Sequence, residues 1–393
     1  MPPASLAEPL PARPADAAPA ARSPRRAAIV EWLLTGGLTL LLFPLSWLLR
    51  RALGLDAAEL AVGFTMFHAA YIVNDPHFSV TYLLFYADVR DRALGSAFSP
   101  LQRARYVIAG FIAPPLLLAW AALALALKSA VILGYLIQLM FLLVGWHYVK
   151  QGFGALSVLA ARRGVAILPR ERTALLLHAF AGWGYAWSTK PGVGKELEEK
   201  GVVFTKLPYP PGLERLSLVL LLGSLGWILW LLVARFRREG RLPLLTPLTA
   251  YVMSIWAWSI WSGIDPLLRY MVPALHSLQY LYFVRLLAAN EAREREGPPF
   301  FEAGARARMG LLAAGALALG FMLFHGAPTL LDDALVEKRD RFTDLGPTPY
   351  FAALYACVNI HHYLMDHVIW RRENPKTRYL RAMSATSPLP TES

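Results

Sequence analysis

The chain predicts an all-α fold, a polytopic membrane helix bundle of about ten transmembrane helices. Composition is the first reason: 56% of the 393 residues are hydrophobic, only 17% are charged, and the mean hydropathy is +0.41. That is too apolar for an ordinary water-soluble domain. The second reason is that apolar stretches of roughly 18–25 residues recur along most of the chain, each long enough to cross a hydrocarbon core of about 30 Å. The third is the charge pattern. Basic loops alternate with short or less basic ones, as expected when Lys and Arg are retained on the cytoplasmic side.

In chain order, residues 1–27 are Ala- and Pro-rich and are expected to be a disordered cytoplasmic N-terminus. The expected spans are 28–49, 57–75, 104–127, 129–149, 172–188, 213–234, 244–262, 266–289, 307–325 and 347–370, which form one membrane domain over 28–370. The first span is too long for a signal-peptide core and lacks a small-residue cleavage site, so it reads as a membrane helix. Basic loops stand at 22–26, 88–105, 150–172, 234–241, 290–308 and 371–381. The connections at Lys128, at Asp265 and over 331–344 are short or mixed, and the loop 189–212 sets four Lys against three Glu. This places both termini in the cytoplasm, with a basic and then disordered tail over 371–393; a bacterial inner membrane is the expected location.

The net charge of +12 is therefore a topology signal with membrane lipids as the expected partners, and no nucleic-acid partner is expected. The single cysteine, Cys357, leaves no intrachain disulfide, thiolate cluster or Cys-rich zinc site to be formed. Neither GFGAL (152–156) nor PGVGK (191–195) completes a phosphate-binding loop.

Histidines carry the chemical signal. They lie in FHAAYIVNDPHF (67–78), GWHYVKQ (145–151), LHSLQY (275–280) and NIHHYLMDHVIW (359–370). Imidazole inside a bilayer is costly, and it is also the commonest ligand of transition metals. The topology gives each ring a depth. His68 and His276 fall near the midplane, His77 and His147 toward the cytoplasm, His361 and His362 just below the middle, and His367 about one and a half turns deeper. These seven are the expected metal ligands. His178 and His325 have no polar neighbours at helical spacing and read as interhelical hydrogen-bond residues.

Helical spacing also suggests supporting groups. Asn359, His362 and Asp366 recur at i, i+3 and i+7, while His68 and Asp75 share a face seven apart. His147 lies four before Gln151, and His276 shares a face with Gln279. A metal-bound imidazole usually gives its second N–H to a carboxylate or carbonyl, so Asp75, Gln151, Gln279, Asn359 and Asp366 are expected to orient the ligands. Tyr71, Tyr280 and Tyr363 are expected catalytic proton or hydrogen-atom relays. In NDPH, Pro76 is expected to break the helix, with Asp75 as N-cap of a new one and the break lining the site.

His361-His362 followed by His367 resembles a histidine box, and the plan resembles the histidine-rich integral-membrane metal oxygenases, hydroxylases and desaturases, which hold iron between helices. Gathering isolated histidines from several spans is also similar to the membrane carotenoid-cleaving oxygenases. The resemblance implies non-haem iron, a hydrophobic substrate and an electron-donor protein. A mostly-histidine donor set itself suits iron, copper or zinc better than magnesium or calcium. Three classes stay open on the sequence: an iron-dependent lipid or isoprenoid oxidoreductase, a proton or ion carrier using His, Asp and Arg269, and a haem-binding redox protein.

Overall fold

The structure is a computed structural model and describes residues 24–189, 196–240, 245–337 and 343–381. The expected disordered stretches lie largely outside those residues; from Pro24 onward the chain is already helical. It is built from long helices: α1 (24–53), α2 (55–86), α3 (Pro100–Ala126), α4 (Ala130–Arg162), α5 (Pro169–Ser188), α6 (Leu213–Glu239), α7 (245–263), α8 (Pro266–Glu296), α9 (Ala305–Leu335) and α10 (Pro349–Ile369). Among the described residues, five of them (α1, α3, α4, α6 and α9) are long and apolar enough to cross a membrane. Leu60, Phe64, Leu116, Val219, Leu222 and Leu311 are exposed on these and neighbouring helices. Such an apolar outer surface suits hydrocarbon as solvent.

The ends of the helices follow from local chemistry. Ser99, Ser129 and Asp265 cap α3, α4 and α8 by accepting backbone N–H groups of the first turn. Pro stands in the first turn of α3, α5, α8 and α10, where no intrahelical N–H is lost.

Two features differ from the sequence expectation. The loop 189–212 contains a β-hairpin, β1 (Glu196–Glu199) paired antiparallel with β2 (Val202–Thr205). Lys200 and Gly201, at φ 53° and 82°, make its two-residue turn, the left-handed pair that such tight hairpins need. Val202 and Phe204 anchor the hairpin in the core. The second difference is at NDPH, where the helix does not break. A π-helical turn over Ala70–Asn74 widens the coil, so the Pro76 ring clears the preceding carbonyls and α2 runs on to Tyr86. Asp75 is itself helical, with φ −66° and ψ −42°.

The centre of the bundle is where α2, α4, α8 and α10 meet, with α9 closing against α2. Gly320 on α9 allows that approach: a Cβ there would lie 2.8 Å from the carbonyl carbon of Asp75. Beside it, Ser79 Oγ donates to Ala316 O across the same interface at 2.5 Å. Backbone cannot yield as a flexible side chain can. We therefore expect Gly320→Val to destabilise the fold by about 1–3 kcal/mol, read as a lower melting temperature; an unchanged one would contradict this tight contact.

Candidate metal centre

Four rings from four helices meet at the centre: His77 (α2), His147 (α4), His276 (α8) and His362 (α10). All are buried, between 0% and 4% exposed. The His77 ring centroid is 4.8 Å from His276 and 4.5 Å from His362. His147 is 4.9 Å from His276 and 5.0 Å from His362. Asp366, one turn past His362, sets Oδ2 3.3 Å from His362 Nε2 and 3.7 Å from His147 Nε2.

Donor atoms of His77, His147 and His276 lie within 4.8 Å of one another, and so do those of His147, His362 and Asp366. His147 Nε2 faces both groups, lying 3.1 Å from His276 Nε2 and 3.7 Å from Asp366. One ring nitrogen has one lone pair, so His147 Nε2 serves one ion, and the two overlapping groups lie side by side around it.

Hydrogen bonding favours an ion there. Both ring nitrogens of His77, both of His362, Nδ1 of His276 and Oδ2 of Asp366 are buried without a protein hydrogen-bond partner. Each such group costs about 1–3 kcal/mol when unsatisfied. A cation accepting one lone pair from each ring would offset that cost and the desolvation of the carboxylate. The residues therefore fit a metal ion, and a histidine-dominated set favours a transition metal.

A second layer holds the donors in place. Tyr280 OH donates to Asp366 Oδ1 at 2.7 Å, and Trp370 Nε1 donates to the same oxygen at 3.1 Å. Thr81, one turn beyond His77, meets Tyr280 OH at 2.6 Å. Tyr363 stacks on the His147 ring at 4.7 Å and donates to Asn359 Oδ1 at 2.9 Å. Gln151 donates to the His276 carbonyl and to Gln279 Oε1, and Gln279 donates to Thr35 O. These two amides tie α4, α8 and α1 together; no hydrogen bond joins them to the ligand rings.

Other candidates from the sequence stand elsewhere. His68 lies nine residues before His77 on one continuous helix, about 13.5 Å along its axis. At that separation it cannot share their ion, and its Nδ1 bonds the Phe64 carbonyl of its own helix. His361 turns toward α2 and bonds Tyr82 OH at 3.0 Å. His367 packs against Trp146 with the rings tilted, 5.3 Å apart, and accepts from Arg371. Asp75 does not support the ligands: its Oδ2 pairs with His325 Nε2 at 2.8 Å, and Tyr71 stacks on that His325 ring. His178 is satisfied by Leu221 O, Ser224 and Trp256.

Thr81 and Trp370 were missed, although the spacing that finds Asp366 from His362 also finds Thr81 from His77 and Trp370 from Asp366. The pairing of His325 with Asp75 had no sequence signal, since the two are 250 residues apart.

Comparison of the chain with protein-family models, with curated proteins and with solved structures finds no match. Fold and geometry alone define it: a helical protein with helices fit to cross a membrane and a buried cluster of four histidines and an aspartate able to hold a metal ion.

Proposed function

We propose that the protein is a membrane-embedded metal oxidoreductase, with non-haem iron at the four-histidine centre and a lipid or isoprenoid-like substrate. The observation that carries this reading is the pair of overlapping buried groups of His and Asp donors that meet at His147, with buried nitrogens of His77 and His362 and Oδ2 of Asp366 left without a protein hydrogen bond. Iron held by imidazoles with a coordination position free would supply dioxygen activation against a hydrocarbon, with a separate protein as electron donor. The chain's own residues would hold the ion, keep water out and keep Asp366 aimed through Tyr280 and Trp370. Tyr280 and Tyr363, each against a ligand ring, are the hydrogen-bonded phenols nearest the ion and would relay protons. Tyr71 is set apart with His325.

Two other classes fare worse on the geometry. A proton or ion carrier would use the same buried His and Asp groups, and the donor sets converging on His147 favour an ion held in place. Haem needs a flat slot between two axial ligands. Here His77 is packed edge-on by His276, Tyr280 and His362 at 4.2–4.8 Å, and Phe78 lies 4.6 Å from His362.

Metal analysis and an absorption spectrum of the purified protein test the reading, together with lipid extracts of cells with and without the gene. Redox metal near one per chain, no Soret band and a lipid gaining oxygen or a double bond are expected. If no redox metal is held and no lipid changes, the carrier reading takes its place.

We further propose ten spans with both ends in the cytoplasm of a bacterial inner membrane. Cysteines introduced as Glu198→Cys and Arg238→Cys should label from outside and inside respectively; the reverse pattern would invert the bundle.

A further inference from the structure

His325 stands outside the metal centre, and an interhelical hydrogen bond accounts for only half of its ring. Its Nε2 bonds Asp75 Oδ2 at 2.8 Å where α2 packs on α9. Asp75 is 3% exposed, so a carboxylate lies buried behind the ring. A carboxylate only accepts, which puts the hydrogen on Nε2 and leaves the lone pair of the neutral ring on Nδ1. Among the described residues Nδ1 has no hydrogen-bond partner and is not one of the buried polar atoms; the His325 side chain is 23% exposed.

Other rings outside the centre differ. His178 is bonded at both nitrogens, to Leu221 O and Ser224 at one and to Trp256 at the other. His68 is exposed, but it is turned onto its own helix through Phe64 O, with no carboxylate behind it. In His325 a buried carboxylate fixes the tautomer and an open nitrogen faces outward.

The ring is also fixed in its plane. It stacks on Tyr71 at 4.1 Å and 16°, and lies 5.8 Å and 30° from Phe321. Its depth matters as much. His325 is ten residues from the nearer end of Ala305–Leu335, a helix long and apolar enough to cross a membrane, and so about 15 Å from that end. Phe321, Met322, Phe67 and Ile72 are exposed apolar side chains of the same two helices, and Phe67 packs on Tyr71 at 5.9 Å. A polar atom held open in such a surface costs free energy until something donates to it, and an ionisable group at this depth marks a site. What reaches it must dissolve in hydrocarbon and carry a donor. A carboxylate head would be repelled by Asp75, which leaves a hydroxyl on an apolar body.

We propose that the open edge of His325, held by Asp75 and Tyr71, binds the hydroxyl of a membrane-soluble ring compound, a hydroquinone or a hydroxylated isoprenoid. The aromatic faces of Phe321, Phe67 and Tyr71 suit a ring beside that hydroxyl. The site adjoins the histidine centre. Asp75 is two residues before His77, about 3 Å along α2. Phe324, next to His325, packs on Phe78 at 5.1 Å, and Phe78 packs on His362 at 4.6 Å. That the bound molecule serves the centre rests on the metal-oxidoreductase reading; the hydroxyl site itself does not.

Binding of retinol and of duroquinol, each beside its methyl ether, to the full-length protein in phosphatidylcholine nanodiscs under nitrogen tests the proposal. Empty nanodiscs are the blank, and metal content is measured on the same samples. At least one hydroxyl compound should bind saturably and about tenfold or more tighter than its ether. Asp75→Asn is compared with the double variant Asp75→Asn, His325→Phe. Both lose the carboxylate, and in the first an amide oxygen still accepts from Nε2. Only the second lacks Nδ1, and it should bind about tenfold more weakly than the first. Leu222→Ala, on an exposed face of α6, should bind as the wild type does. If the double variant does not fold, the preference for hydroxyl over ether in the wild type carries the comparison, and it should shrink in Tyr71→Leu, where the ring loses its stack.

Binding of duroquinol alone assigns the site to a hydroquinone, and binding of retinol alone to an isoprenoid alcohol. The proposal is overturned if the ethers bind as tightly as the hydroxyl compounds, if the double variant binds as tightly as Asp75→Asn, or if neither probe saturates. Hydroxyl-dependent binding by protein that holds no metal would leave this site standing and sink the metal reading alone.

Discussion

Replacing His276 or His362 with Ala should empty the metal centre, lowering bound metal from about one ion per chain to near none and abolishing turnover with it. Each ring is buried and keeps at least one nitrogen without a protein hydrogen bond, and its contacts are with the other candidate ligands, so the loss falls on the ion. It should exceed the roughly 10–100-fold that removing a merely supporting group costs. His68→Ala is the matched control, since that ring bonds its own helix well away from the ion. His325→Ala is the informative contrast. It should keep the metal and still lower the melting temperature, because Asp75 would lose its hydrogen-bond partner in a buried place, at a cost of about 1–3 kcal/mol. Equal metal loss in His68→Ala and His276→Ala would mean that the ion, if any, is bound elsewhere.

The contrast between His68 and His77 marks how far the sequence could be read. Both sit in one polar segment around NDPH, and a helix break at Pro76 would have let both rings fold onto one cavity. What decides the matter is a π-helical turn over Ala70–Asn74. No residue pattern announces it: it is the accommodation that a neighbouring Pro76 and the close packing of Gly320 against Asp75 allow. With the helix continuous, rise per residue separates the two histidines.

On α10, by contrast, spacing alone was enough to put His362 and Asp366 on one stripe and to turn His361 away, because that helix is regular through the site. The all-helical character was equally legible, since apolar stretches of that length leave the backbone few other options in a membrane. The hairpin at 196–205 was not. Its strands are four residues each and one carries three Glu, so neither strand has a clear alternating signal. Tertiary partners were the least legible of all. Helical spacing assigns Asp75 to His68, whereas its partner His325 comes from α9, and no helical arithmetic connects the two.

Asp366→Asn should separate ligand from scaffold. Oδ1 of Asp366 is held by Tyr280 and Trp370, both donors, so an amide oxygen can take its place and keep both bonds. The amide nitrogen then falls where Oδ2 faces His362 and His147, and it brings neither negative charge nor a free lone pair to the ion. Metal retention should fall by at least about 10–100-fold while expression and melting temperature stay close to wild type. Tyr280→Phe removes one bond to the carboxylate and leaves Trp370 in place, so it should loosen the metal by a smaller factor. Reversal of that order, with Tyr280→Phe losing more metal than Asp366→Asn, would place the phenol and not the carboxylate against the ion. Unchanged metal in Asp366→Asn together with lost folding would make the carboxylate a structural group that holds α8 to α10.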